Sequence, residues 1–216
     1  MKKGLTELVM ILDRSGSMGG LESDTIGGYN AMIEKQKAQE GEALVSTVLF
    51  DDRSEVLYDR VPLEKLPKMS EKEYWVRGCT ALLDAMGSSI QHIANVQKYA
   101  REEDRPEKTI FVITTDGLEN ASHEYTYATV KRMVEQQKEK GWEFLFLGAN
   151  IDAIETAERF GIDEDRAANY NSDSTGTALN YKVLADTVCR MRSADRPIDG
   201  SWKKHIDEDY RKRSRK

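Results

Sequence analysis

Short apolar runs alternate along this chain with stretches of helical period. Residues 5–12, 43–50, 109–115, 142–148 and 167–170 carry the runs, each of strand length. Residues 23–40 set Ile26, Tyr29 and Ile33 on one helical stripe, with Gly41 as its stop. Residues 80–99 do the same with Leu82, Leu83, Met86, Ile90 and Ile93. Further helices are predicted over 126–140, stopped by Gly141, over 151–160, capped by Gly161, and over 177–193, through Leu179, Val183, Leu184 and Val188. Asp51-Asp52-Arg53 turns the 43–50 strand into another at 55–61, and so short a connection permits only an antiparallel hairpin. Pro62 and Pro67 mark an irregular segment after it, and Pro106 separates the 80–99 helix from the next strand.

Strands that are apolar at every position, as Val9 to Leu12 and Ile110 to Ile113 are, suit a sheet covered on both faces. Alternation of such strands with helices predicts an α/β, doubly wound, mostly parallel sheet with helices on both sides. In sheets of this kind ligands bind beyond the carboxyl ends of the strands, where the winding reverses.

Two of the buried runs end in chemistry. The first gives way to Asp13-Arg14-Ser15-Gly16-Ser17-Met18, a carboxylate and two hydroxyls at alternating positions among glycines. The second ends in Asp116-Gly117, and Thr80 opens the helix between them after Arg77-Gly78-Cys79. Oxygen donors on tight loops suit a small hard cation such as Mg²⁺. Each piece alone also has a plainer reading: Asp13, Ser15 and Ser17 as a capped loop, Thr80 as a helix cap, Asp116-Gly117 as a turn. Together, in this order and each at a strand end or helix start, they favour a metal site. Arg14 and Met18 are expected on the loop surface, and Asp84, one turn after Thr80, as a solvated residue or a support for the metal loop.

The set Asp13-x-Ser15-x-Ser17, Thr80 and Asp116 resembles the metal-ion-dependent adhesion site of von Willebrand factor type A domains. The likeness spans residues 5–193 and is nearest to stand-alone bacterial members carrying Asp-Arg-Ser-Gly-Ser-Met and Thr-Asp-Gly-Leu-Glu-Asn. Cys79 departs from it, standing where the family often has a second glycine. The resemblance implies six strands in the order 3-2-1-4-5-6, with strand 3 an antiparallel edge, in a domain over 1–195. It implies direct binding of the ion by Ser15, Ser17 and Thr80, with Asp13 and Asp116 acting mainly through water. The ion expected is Mg²⁺ or Mn²⁺ before Ca²⁺, and its open position would take an Asp or Glu from a protein partner. That partner is expected in a larger complex such as a AAA+ ATPase. In larger members of the family the last helix moves with metal coordination, a role open to residues 177–193.

Composition narrows the classes. Lys and Arg total 32 against 38 Asp and Glu, a net charge of −6, which argues against nucleic acid as the main partner. No window approaches the roughly 18–20 apolar residues that span a bilayer, and Leu8 to Leu12 is too short for a signal sequence. Cys79 and Cys189 make no disulfide framework, so a cytoplasmic protein with free thiols is expected. Motifs for phosphate, dinucleotide or zinc binding and the serine-hydrolase elbow are missing, and no enzyme is expected. The alternative is a Mg²⁺-dependent hydrolase or phosphatase with His123 as base. Residues 196–216 are expected to be a charged, flexible tail. Its basic end, Arg211 to Lys216, is expected to be removable without change in metal affinity.

Overall fold

The computed structural model describes residues 1–194 and 196–213. Its elements run β1 (Lys2–Asp13), α1 (Glu22–Lys37), β2 (Glu42–Phe50), β3 (Ser54–Pro62), α2 (Leu82–Tyr99), β4 (Pro106–Thr115), α3 (Tyr127–Lys138), β5 (Glu143–Ala149), α4 (Ala153–Arg159), β6 (Ala167–Tyr170), α5 (Ser174–Ser193) and α6 (Lys204–Arg213). The six strands form one sheet in the order β3-β2-β1-β4-β5-β6. All neighbours are parallel except β3, which returns antiparallel along β2 as the short Asp51-Asp52-Arg53 turn requires. Pro106 lies inside β4 rather than before it; a strand's first residue is a place where proline's missing N–H is tolerated.

Two cores explain why the central strands are apolar throughout. Leu8, Met10 and Leu12 of β1 face one core, and Val9 and Ile11 face the other. In β4 the division is Ile110 and Val112 against Phe111 and Ile113. Helices α1 and α5 close the first core with Tyr29, Met32, Leu184 and Val188. The second is closed by α2, α3 and α4 with Met86, Ile90, Val130, Val134 and Ala157. The α1–α5 crossing needs a glycine, because a Cβ on Gly28 would lie 2.3 Å from Cδ2 of Tyr181. At its far end α5 is bolted down by Lys108, whose Nζ donates to the carbonyls of Met191, Arg192 and Ala194 at 2.9, 2.9 and 2.6 Å.

The expected charged tail is instead largely packed. Trp202 and Ile206 are 3% and 1% exposed and belong to the first core. Trp202 Nε1 donates to the Asp165 carbonyl at 2.7 Å, and Lys203 Nζ donates to those of Glu164 and Ala167, also at 2.7 Å. Two apolar residues four apart suffice to dock a helix turn whose other positions are charged, which is why composition alone concealed it. Ser214, Arg215 and Lys216, the last of the basic run, lie outside the described residues, as does Asp195 at the expected boundary. Among the described residues no helix is long and apolar enough to cross a membrane.

Candidate metal centre

The register Leu12 opposite Thr114 brings Asp13 and Asp116 out of the sheet side by side, at the point where the winding reverses. Asp13 is buried and spends both oxygens on the protein. Its Oδ1 accepts the Ser15 amide at 2.7 Å; its Oδ2 accepts the Thr115 hydroxyl at 2.7 Å and the Asp116 amide at 3.1 Å. Asp13 therefore fixes the first loop and ties it to the third. Ser15 precedes a single 3₁₀ turn, Gly16–Met18, which sets its Oγ 2.9 Å from that of Ser17. An octahedral ion with metal–oxygen bonds of about 2.0–2.1 Å has adjacent ligands about 2.9 Å apart. The separation of the two hydroxyls, which also hydrogen-bond each other, is compatible with adjacent positions on such an ion.

The second loop joins them. The Gly16 amide donates to the Gly78 carbonyl at 3.1 Å, and a Cβ on Gly117 would lie 3.4 Å from both Ser17 Oγ and Thr80 Oγ1. All three stretches thus meet around Gly117. Thr80 is not the helix cap: Ala81 occupies that place without a side-chain bond. The start of α2 is satisfied by Glu119, which accepts the Leu83 amide at 2.9 Å, and by Ser122 Oγ, which accepts that of Asp84 at 3.0 Å. Thr80 exchanges hydrogen bonds with Asn120 through its backbone, at 2.9 and 3.0 Å. Its hydroxyl has no partner among the described residues, as a ligand's should not. Asp84 accepts the amides of His123, Glu124 and Tyr125 at 2.8–2.9 Å, so it orders the loop after β4. The His123 ring is exposed and makes no hydrogen bond or ion pair among the described residues, so nothing there orients it as a base.

Sequence reasoning missed the partners of Asp116. Its two oxygens accept hydrogen bonds from Asn150 Nδ2 and Ser172 Oγ, just past β5 and β6. Asn150 sits at φ +55°, in the left-handed region that asparagine adopts more readily than most residues other than glycine. Burial pushes the Asp116 carboxyl above the ordinary range against these two bonds, and the charge of Asp13 pushes the same way. Burial also raises Asp13, opposed by its bonds from Ser15, Thr115 and Asp116. The buried Tyr74 hydroxyl, donating to the Asp13 carbonyl at 2.6 Å, steadies the same strand end.

Arg14 and Met18, expected at the surface, are 1% and 4% exposed. Arg14 Nε donates to Asp51 Oδ2 at 2.8 Å, and Arg77 Nε donates to the same oxygen at 2.7 Å. Burial acts to raise Asp51, but the bonds from Arg77, Asp52 and Arg14 and the charge of Arg14 outweigh it and hold the carboxyl below its ordinary range. Among the described residues no three His, Cys, Asp or Glu side chains gather to hold a metal.

Among solved structures the chain is similar to proximal thread matrix protein 1 of the mussel byssus, at 13% identity and a TM-score of 0.59. The match covers 86% of this chain and 46% of the mussel protein, so this chain spans less than half of that relative's length. It is also similar to the von Willebrand factor domain of the type V pili tip protein Mfa5 from Porphyromonas gingivalis. There the identity is 11%, the TM-score 0.61, and the coverage 89% of this chain and 98% of the other. The fold is that of a von Willebrand factor type A domain. A third structure with this fold, the manganese-loaded TRAP protein of Plasmodium vivax, matches at 15% identity and a TM-score of 0.54, over 83% of this chain and 73% of that one. The mussel protein is also known with a zinc-occupied metal-ion-dependent adhesion site. No protein-family model and no curated protein matches the sequence.

Proposed function

We propose that this chain is a von Willebrand factor type A module that holds a divalent cation and uses it to capture a carboxylate from a protein partner. The observation that carries the proposal is the meeting of the Ser17 and Thr80 hydroxyls around Gly117, with the Ser15 hydroxyl 2.9 Å from that of Ser17, while Asp13 is fully occupied by protein donors. Neutral ligands leave the cation's charge poorly quenched, and its remaining positions fall to water. An Asp or Glu side chain replacing one of those waters gains a short-range charge interaction with the cation. Mg²⁺ or Mn²⁺ suits the 2.9 Å hydroxyl spacing better than Ca²⁺, which takes longer bonds and more carboxylates. The zinc- and manganese-loaded neighbours support use of a divalent cation. The module is read as an adaptor or regulatory subunit rather than an enzyme, and a AAA+ ATPase is one class of machine it would serve.

The test is an affinity pull-down from the native host in Mg²⁺ and in EDTA, with wild type and Thr80→Ala. A partner retained only by wild type in Mg²⁺ is the expected result. Because the Thr80 hydroxyl has no partner among the described residues, the variant should keep the melting temperature of the metal-free protein. Capture that persists in EDTA and in the variant overturns the proposal.

A further inference from the structure

Four successive side chains after β6 reach four different places. Asn171 Nδ2 donates to Asp209 Oδ2 of α6 at 3.0 Å. Ser172 Oγ donates to Asp116. Asp173 caps α5 by accepting the Gly176 amide at 2.8 Å, and its other oxygen accepts from Arg213 of α6. Ser174 Oγ donates to Asp24 of α1 at 2.6 Å. Arg213 also grips Asp209 within α6, its Nε 2.9 and 3.0 Å from the two carboxylate oxygens. Helix α6 therefore holds this loop on either side of Ser172, through Asp209 on Asn171 and Arg213 on Asp173. Ser172 is left facing Asp116.

We infer that α6 is a clasp on the candidate metal centre: Ser172 positions Asp116, and the Asp209–Arg213 pair holds Ser172 in place, so the grip of α6 sets cation affinity. The inference rests on the proposed metal site and adds a control element to it. Asp116 is buried, with each oxygen claimed by one donor; losing Ser172 frees one oxygen and lets the carboxylate turn. Removal of a partner that orients a metal-supporting group typically costs about 10–100-fold in affinity. The loop is held from α6 by partly exposed charges, so breaking the clasp should cost little thermal stability. Cation affinity is the discriminating readout. Arg213 lies in the basic run expected to be dispensable for metal binding, and its place here argues the reverse.

The experiment is calorimetric titration of Mn²⁺ into the full chain, alongside hydrogen exchange of the Gly176 amide in EDTA. Ser172→Ala should bind Mn²⁺ about tenfold more weakly. Arg213→Ala should weaken binding by about threefold or more and speed Gly176 exchange, with Arg213→Lys partly restoring both. Arg211→Ala, whose Nε bonds among the described residues only to the Asp207 carbonyl of its own helix, should match wild type. Wild-type uptake of Mn²⁺ with unchanged affinity in Arg213→Ala overturns the clasp alone. No uptake by wild type overturns the metal site and the clasp together.

Discussion

Asp13→Asn and Asp116→Asn each remove one charge from equally buried carboxylates, yet the hydrogen bonds predict different outcomes for the metal-free protein. Asp13 accepts three bonds, and an amide offers only one oxygen in place of two. With that oxygen on the Ser15 amide, the new NH₂ faces the Thr115 hydroxyl and the Asp116 amide. Thr115 can turn to accept and send its proton to the Gly117 carbonyl, 3.3 Å away. The Asp116 N–H cannot turn. A buried donor left unpaired costs about 1–3 kcal/mol, and relief from burying a charge offsets part of the further loss. A net cost of about 2 kcal/mol lowers the melting temperature by about 4–8 °C in a chain of this size. At Asp116 an amide oxygen keeps Asn150 as donor, and the Ser172 hydroxyl turns to accept from the new NH₂. No group is stranded and a disfavoured charge is gone, so Asp116→Asn should match or exceed wild type. Both variants should lose the stabilisation by Mn²⁺, which reaches about 2.7 kcal/mol at 100 times the Kd. Thermal unfolding in EDTA and in Mn²⁺ at pH 7 measures all of this. If Asp116→Asn is destabilised in EDTA as much as Asp13→Asn, the assignment of donors and acceptors at this site is wrong.

The pH dependence follows from the same carboxyls. The Asp13 and Asp116 pKa values are raised in the fold, so the folded metal-free chain holds these protons more tightly than the unfolded one. Their effect on stability is most favourable in acid and is lost as pH rises from about 4 through the folded-state values. The advantage of Asp116→Asn over wild type in EDTA should therefore shrink between pH 7 and pH 4, and Mn²⁺ affinity measured by calorimetry should fall in acid as protons compete. A constant difference would show that Asp116 carries no buried-charge cost. Trp202→Ala should destabilise the chain by about 3 kcal/mol or more, read by urea unfolding, because it opens a cavity where α6 docks. A loss under about 1 kcal/mol would restore the reading of a loosely held tail.

The strands and the loops that carry the five candidate residues were legible because their signals are local, whereas the strand order came from the resemblance to von Willebrand factor type A domains. A strand covered on both faces has no polar alternation, and Val9 to Leu12 shows none. The acidic residue at its end cannot be mistaken for core. What escaped depends on distance along the chain. Arg14 reads as loop surface until Asp51, 37 residues on, is placed beside it. Asn150 and Ser172 are single polar residues in loops, without spacing to betray them. One signal would have found them. Asp51, Asp116 and Asn150 each directly follow a strand, Asn171 and Ser172 follow β6, and Asp13 closes β1. In a parallel sheet all these exits open at one edge, so the first polar residues past each strand converge however far apart they lie in sequence.

That convergence also explains the kind of chemistry the edge can hold. Glu119 accepts amides from Leu83, Ala121 and Ser122; Asp84 accepts three more; Asp51 is taken by two arginines; Asp13 spends both oxygens on donors. Each anion there is consumed in shaping a loop, and each bond lowers its power to neutralise anything else. The oxygens left to face outward are hydroxyls. A cation seated among Ser15, Ser17 and Thr80 would therefore keep most of its charge, beside carboxylates that are fixed in place. On the proposed reading, the missing anion is supplied by another molecule.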